Sequence, residues 1–338
     1  MRRIAGLLSL VAMLFVSSFV TDYSSAAPPP PIQLAAATPA DFPSRPIEII
    51  VSAAAGGGQD IYTRIVAKHS EKFMGKPIIV TNVVGGGGSA GAYKIAIAPP
   101  TGYVLGAVAP TTVIQPFLIK GIAFSSKSFK WIIQHSFDPT FLVVKKGGKY
   151  DMPMDKFIEY AKAHPKEIRV GIANAWGAQD FSRAVLEKAA GVQFERVPFD
   201  SGTNAMMAVL GDHIDSSWNF FSEIQSQYQA GGVSLIGAAN DGRWELTPGV
   251  PTFKEKGYDL VFGNWRALAA PKGTPDAIIQ ILHDAFKKAL DSPELRNDLK
   301  KAGFPVVYRG PAELQKYVDG EVENRYGKAI KEFNIHPR

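Results

Sequence analysis

The sequence predicts an α/β chain folded into two lobes, each a mixed sheet flanked by helices. Three observations carry that expectation. Short apolar runs rich in Val and Ile alternate with longer stretches of helical periodicity, as strand–helix units do. Glycine or small polar residues recur where a run gives way to a helix. Two extended segments, 141–144 and 264–270, each lead into a turn, Lys145-Lys146-Gly147-Gly148 and Pro271-Lys272-Gly273-Thr274-Pro275. Such segments are expected where a chain leaves one lobe and later returns. The length agrees, since 338 residues at roughly 100–200 per domain make about two domains. We place lobe 1 at 43–141 plus 267–338 and lobe 2 at 142–266, with a ligand site in the cleft between them.

The N-terminus stands apart. Arg2-Arg3 precedes an apolar run at 4–16, then Ser17, Ser18 and the small residues Ser24-Ser25-Ala26-Ala27. A basic start, a short apolar core and small residues before the cut describe a secretory signal over 1–27. About 13 apolar residues are too few to span a bilayer. Residues 28–42, rich in Pro and Ala, are expected to be a disordered leader.

Strands are expected at 47–53, 78–82, 104–108, 140–144, 168–172, 194–198, 214–218, 233–238 and 266–269. Phe181, Val185, Leu186 and Ala189 share one helical face; Ile278, Leu282, Ala285, Phe286 and Ala289 share another. Gly75, Gly191, Gly211 and Gly303 follow helical patterns as helix-ending glycines do. Thr274-Pro275-Asp276 and Ser292-Pro293-Glu294 read as helix starts with proline in the first turn.

Composition narrows the function. The chain is 46% hydrophobic and 20% charged, ordinary for a globular core. It has no Cys, which excludes disulfides, a lipidated N-terminal cysteine, thiol chemistry and Cys-based zinc sites. The exported protein is therefore expected to be free in its compartment. The formal charge is +6, and removing Arg2, Arg3 and Asp22 with the signal lowers it by one. No dense Lys/Arg block or aromatic-basic interleaving is present, so nucleic acid is not an expected partner.

The most telling segment runs from Ile47 to Ile65. It reads as a buried strand, the turn Ala55-Gly56-Gly57-Gly58, and a helix opening at Gln59 or Asp60. Glycines let the backbone approach a ligand. The first helical amides have no partners within the helix and favour an anion. The run Gly86-Gly87-Gly88-Ser89-Ala90-Gly91 satisfies a dinucleotide fingerprint, but a ribose-binding acid is wanted about 20 residues on. No Asp or Glu lies between Lys72 and Phe137. The same run matches the nucleophile elbow around Ser89, which keeps an exported serine hydrolase as the alternative reading. His213 and His283 have no evident placing role for such a triad. His213-x-Asp215 falls far short of a metal site.

Two further loops precede helices. Asn174, Trp176, Gly177 and Asp180 form one, with Trp176 either a cleft wall or a packed aromatic and Asp180 a natural cap. Ser201, Thr203 and Asn204 belong to the other; caps are their default role, and they also have groups to offer a ligand. Thr111 is a further candidate contact. Several helix N-termini facing one cleft would each contribute about 0.3–1 kcal/mol toward an anion.

Several further pieces extend the pattern: Phe42-Pro-Ser-Arg-Pro-Ile47, Gly75-Lys-Pro-Ile-Ile-Val-Thr-Asn82, Ala98-Pro-Pro-Thr-Gly-Tyr-Val-Leu105, Val197-Pro-Phe199, Leu210-Gly-Asp-His-Ile-Asp215, Pro248-Gly-Val-Pro-Thr252 and Asn264-Trp-Arg266. In their order and spacing, over nearly all of 43–335, these pieces resemble the extracytoplasmic solute receptors of tripartite tricarboxylate transporters, the Bug family. The resemblance implies a two-lobed, type II-like periplasmic binding protein that closes on a small carboxylate and delivers it to membrane subunits of such a transporter. It implies that the loop 54–60 meets the ligand carboxylate through backbone groups and water. The loop 174–180 and the segment after Asn219 would form the facing wall. Arg266 has two readings, a bidentate carboxylate contact or a structural ion pair. No catalytic residue, metal or cofactor is expected, and the chain is expected to be a monomer.

The sequence departs from the family pattern in four places. Ser52-Ala-Ala-Ala55 stands for the usual Pro-Phe-Ala-Pro, and Val83-Val84 lacks a common basic residue. Asp180 replaces a frequent His, and Phe199-Asp200 replaces a Tyr-Lys pair. These changes remove positive or donor groups and add acids. The ligand classes left open are a di- or tricarboxylate, a monocarboxylate, an aromatic acid stacked on Trp176, and an amino acid with its amine opposite an Asp.

Overall fold

The computed structural model describes residues 41–173 and 177–334. The expected signal, the leader up to residue 40, Asn174 and Trp176 lie outside the described residues. Phe42, expected to end the disordered leader, is instead buried against Tyr103, with ring centroids 5.0 Å apart. Burial of an aromatic ring against an apolar neighbour outweighs the ordering cost of one residue.

The chain opens with strand β1 (Ile47–Val51), helix α1 (Gly58–Met74), β2 (Ile78–Asn82), α2 (Ser89–Ala96), β3 (Val104–Val108) and α3 (Pro110–Leu118). β1 pairs in parallel with β2 and β3, and its residues are almost fully buried, as a strand covered on both faces should be. Next comes β4 (Phe129–Lys145), a strand of 17 residues. At about 3.3 Å per residue it spans about 55 Å, long enough to serve both lobes. The sequence pattern had suggested only its last part, because the rest carries Gln134, His135, Ser136 and Asp138, all buried polar residues that break an apolar run.

β4 changes partners along its length. Residues 129–139 pair with β9 (Gly263–Pro271), which in turn pairs with β3. Residues 140–145 pair instead with β7 (Ser216–Phe220) and β8 (Val233–Ala238). β7 continues to β5 (Arg169–Ala173) and then β6 (Glu195–Phe199), both in parallel. Each lobe is thus a mixed sheet. The passage between them is tied by Thr140 N–H donating to the Phe262 carbonyl at 3.1 Å and Ala239 N–H donating to the Thr140 carbonyl at 2.8 Å.

Helices cover both sheets. The second lobe carries α4 (Met154–Ala163), α5 (Ala178–Ala190), α6 (Gly202–Leu210) and α7 (Phe221–Gln229). After β9 come α8 (Asp276–Asp291), α9 (Pro293–Lys301), α10 (Pro311–Gly320), a wider π-turn segment (Glu321–Tyr326) and α11 (Gly327–Glu332). The expected face of α8, Ile278 through Ala289, is buried against β1 and α1 residues such as Ile49 and Val66. On α5, Phe181 and Leu186 are buried, but Ala189 is exposed and Ala190 takes the inward position. Gly75 ends α1 at φ 71°, a left-handed conformation that a Cβ disfavours, and its N–H closes the helix on the Glu71 carbonyl. Ser292 caps α9, with Pro293 in the first turn as expected.

Candidate functional site

The carboxyl ends of the strands meet the starts of the next helices around one cavity of about 190 Å³. From the first lobe it is lined by Ser52 and Ala53 after β1, Gln59 on α1, Ala107 on β3, and Ala109, Pro110, Thr111, Thr112 and Ile114 at the start of α3. From the second lobe come Gly177, Ala178 and Gln179 at the start of α5, and Phe220 at the start of α7; Asn264 of β9 completes it. Four helix N-termini therefore share one space. Among the described residues, none that lines it is charged. Its volume is that of roughly six water molecules at about 30 Å³ each, the bulk of a small carboxylic acid.

Local chemistry explains the first wall. Gly56 N–H donates to Asp60 Oδ2 at 2.8 Å, so the carboxylate folds back on the glycine turn that precedes its own helix. Asp60 Oδ1 accepts from Asn82 Nδ2 at 2.9 Å and pairs with Arg64 Nε at 2.9 Å. Burial works against the charge, but these hydrogen bonds hold the Asp60 carboxyl below its ordinary value. Asp60, expected to meet the ligand, thus ties the loop and is not a lining group. Ala55, Gly56, Gly57 and Gly58 are exposed on the turn and likewise do not line the cavity. Gln59 does: both polar atoms of its side-chain amide are buried and have no hydrogen-bond partner among the described residues. Leaving such groups unmet costs about 1–3 kcal/mol each, a cost that a ligand bonding there would remove.

Gly87 and Ser89 sit apart. Gln115 Nε2 donates to the Gly87 carbonyl, which holds the second glycine turn against α3. Ser89 borders a separate shallow pocket with Tyr93 and Phe124, and no described histidine hydrogen-bonds to it. His283 is engaged by Asp284 and Tyr308.

The second wall rests on buried charge. Asp180 is fully buried, accepts from Arg183 at 2.8 Å and Arg196 at 2.9 Å, and clamps α5 to β6. Contrary to its expected ligand role, it does not line the cavity; two guanidiniums on one buried carboxylate are a structural device. Ser201 caps α6, accepting from Asn204 N–H at 3.2 Å, and Thr203 is exposed in the first turn of that helix. Asn219 is buried behind the wall. It donates through Nδ2 to the Gly202 carbonyl at 2.8 Å and to Glu223 Oε2 at 3.1 Å. Glu223 also accepts from Phe220 N–H at 3.0 Å and Gln179 Nε2 at 2.9 Å. Burial pushes its carboxyl up to about 7, with Asp138 adding to the rise and the bonds from Asn219 and Phe220 opposing it.

Arg266 lies beneath the cavity, 3% exposed, its guanidinium 4.9 Å from the Phe304 ring centroid and 5.5 Å from that of Tyr62. Its Nε and Nη1 have no hydrogen-bond partner among the described residues. No carboxylate lies within ion-pair distance of it among the described residues; the two rings pack against it, and Asp138 and Glu223 act on it electrostatically from farther off. His135 stacks on Tyr62 at 4.7 Å, and burial together with Arg266 pushes its imidazole down to about 3, so it is neutral. Asp138 accepts from Phe221 N–H at 3.0 Å and Ser222 Oγ at 2.7 Å, joining β4 to α7, and burial raises its carboxyl.

A family model described as the tripartite tricarboxylate transporter family receptor matches residues 62–335. The chain belongs to that family. A curated relative, the UPF0065 protein in the gbd 5' region of Cupriavidus necator, is 32% identical over 296 residues, covering 86% of this chain and 88% of its own. A TctC solute-binding protein from Polaromonas has a TM-score of 0.78 at 28% identity, covering 86% of this chain and 99% of its own. MatC from Rhodopseudomonas palustris, solved with bound malate, has a TM-score of 0.70 at 26% identity, covering 86% of this chain and all (100%) of its own. The family is one of periplasmic solute-binding receptors. Among the described residues, no helix is long and apolar enough to cross a membrane.

Of the sequence-selected residues, the receptor brings Gln59, Thr111 and Gly177 to its cavity. Sequence reasoning passed over Ala109, Pro110, Gln179, Phe220 and Asn264. A usable signal existed for the first two: ligands in α/β folds gather at the carboxyl ends of strands, and Ala109-Pro110 directly follows β3. Gln179 and Phe220 also follow strand–turn junctions, but without glycine runs to mark them.

Proposed function

We propose that this receptor captures a small carboxylate in the periplasm by closing its two lobes on the cavity, then presents it to the membrane subunits of a tripartite tricarboxylate-type transporter. The observation that carries the reading is a cavity between lobes lined by four helix N-termini and no charged side chain. Each terminus supplies about 0.3–1 kcal/mol toward an anion, so four supply on the order of 1–4 kcal/mol. Micromolar binding needs about 8 kcal/mol. The remainder falls to direct hydrogen bonds from groups such as Gln59, Thr111 and the backbone amides, and to burial of the ligand's apolar part. Binding stabilises the closed state by its differential affinity for it. We read the chain as exported by the signal at 1–27, monomeric and without catalysis, with lobes bounded near the partner change of β4.

The test is a thermal-shift and calorimetry screen of the mature protein against mono-, di- and tricarboxylates and amino acids, with neutral sugars as controls. We expect at least one carboxylate to raise the melting temperature and none to be turned over. Ser89→Ala should leave that stabilisation intact. Stabilisation by a neutral sugar and by no acid would end the carboxylate reading.

A further inference from the structure

We propose that the cavity selects carboxylates bearing a hydrogen-bond donor, a hydroxyl or an ammonium, beside the acid group, and that the carbonyl oxygen of Gln179 reads this donor. The inference rests on the carboxylate-receptor reading and names the ligand class within it.

The argument is a chain of forced hydrogen-bond assignments. The Gly202 carbonyl can only accept, and Asn219 reaches it at 2.8 Å, so the Asn219 amide must turn its Nδ2 that way. Ser217 Oγ then donates to Asn219 Oδ1 at 2.6 Å, which agrees. The same Nδ2 donates to Glu223 Oε2 at 3.1 Å. Phe220 N–H, which can only donate, meets that same oxygen at 3.0 Å. Glu223 Oε2 is therefore an acceptor whether the carboxyl is ionised or carries a proton on its other oxygen. Gln179 approaches Oε2 at 2.9 Å and must do so with its NH2. Its Oε1 is left with no donor among the described residues, on a side chain that lines the cavity.

The surrounding charges favour the same choice. Glu223 faces Asp138 on β4 and Arg266 on β9, with neutral His135 and Tyr62 around the guanidinium. On α5, the neighbouring Asp180 is held by Arg183 and Arg196. Two carboxyls share the one buried guanidinium behind this wall, which favours a donor over a second acceptor. The opposite wall, with its helix N-termini and Gln59, is left to hold the ligand carboxylate.

Matched acids test this at pH 7.5 by calorimetry on the mature protein. Succinate, malate and aspartate differ only in H, OH or NH3+ at one carbon; phenylacetate, mandelate and phenylglycine repeat the series on a larger frame. We expect the donor-bearing members of at least one series to bind tenfold or more tightly than the parent. Gln179→Met, which removes the acceptor, should shrink that difference to within threefold, whatever shift in affinity the two acids share. Glu223→Gln keeps an acceptor at Oε2 and should keep the hydroxyl preference while weakening any ammonium preference, which separates the two donors. The proposal is overturned if parent and donor-bearing acids bind alike in the native protein, a comparison that needs no variant to fold. It is overturned equally if the preference survives in Gln179→Met. Binding without preference, or binding of donor-free acids alone, sinks this inference and leaves the carboxylate reading standing; a screen in which no acid stabilises the protein sinks both.

Discussion

The two walls of the cavity are built on opposite electrostatic plans. The first-lobe wall, made by Ser52, Ala53, Gln59 and the start of α3, offers mostly small or uncharged side chains and backbone, with the nearby acid, Asp60, turned back on the loop. The second-lobe wall, at the starts of α5 and α7, rests on buried ionisable groups: Asp180 between two arginines, and Glu223 with Asp138 near Arg266. A local turn can be made neutral by one short-range hydrogen bond. A wall assembled from distant segments needs charges to register them, and those charges then set the polarity that a ligand meets.

The contrast is open to direct attack. The largest effect is expected from Asp180→Ala, which leaves Arg183 and Arg196 without their shared buried carboxylate. Loss of one member of such a cluster costs about 3–5 kcal/mol. For a chain of this size that is a fall in melting temperature of roughly 6–20 °C, taking about 2–4 °C per kcal/mol. Thermal denaturation reads it, and a shift below 2 °C would mean that the clamp on α5 is incidental.

A smaller and differently placed effect is expected from Glu223→Gln. The folded carboxyl titrates at about 7, above its ordinary value of 4.5, so the folded state binds this proton more tightly than the unfolded chain. The sign follows: this group's contribution is fully present below pH 4.5 and is lost as pH rises to about 7. Denaturant unfolding of the native protein should weaken across that window by on the order of 1–3 kcal/mol more than the Gln variant does. Parallel pH profiles would place the proton elsewhere, with the buried Glu321, also pushed up to about 7 by burial, the next group to replace.

The smallest change in stability belongs to Asp60→Asn. It removes a charge pair with the half-exposed Arg64 while keeping an acceptor for Gly56, so about 1 kcal/mol is expected. Its effect on ligand affinity should exceed that cost, because the turn that presents Gln59 is loosened. Calorimetry with the best acid of the screen reads the difference. Equal losses in stability and affinity would show that the first wall is no more than a scaffold.

The two walls also differ in how far they were legible in advance. The strand, glycine turn and helix from Ile47 onward were readable because each signal is local: an apolar run, glycines, then a 3.6-residue period. The inward face of α8 was readable for the same reason. The front half of β4 was not. Gln134, His135, Ser136 and Asp138 look like loop residues until their partners are known, and Asp138 finds its partners 83 and 84 residues away, at Phe221 and Ser222. Asp180 was misjudged for a similar reason: Arg196, which helps to bury its charge, sits on a neighbouring strand. Its position beside a cleft loop drew it into the site on paper, whereas its neighbours in space make it a clamp.

By itself the sequence determined the kind of surface available: short strands running into uncharged turns and helix N-termini, in a chain without cysteine. Family membership followed from the order of those pieces. Only the tertiary structure decided which N-termini meet, which acids are neutralised by arginines, and that the Gln179 amide is held by Glu223 at the cavity wall. Periodicity and turn chemistry act over a few residues and can be read along the chain. Convergence and charge compensation act between segments up to two hundred residues apart, and they exist only once β4 and β9 have brought the two lobes together.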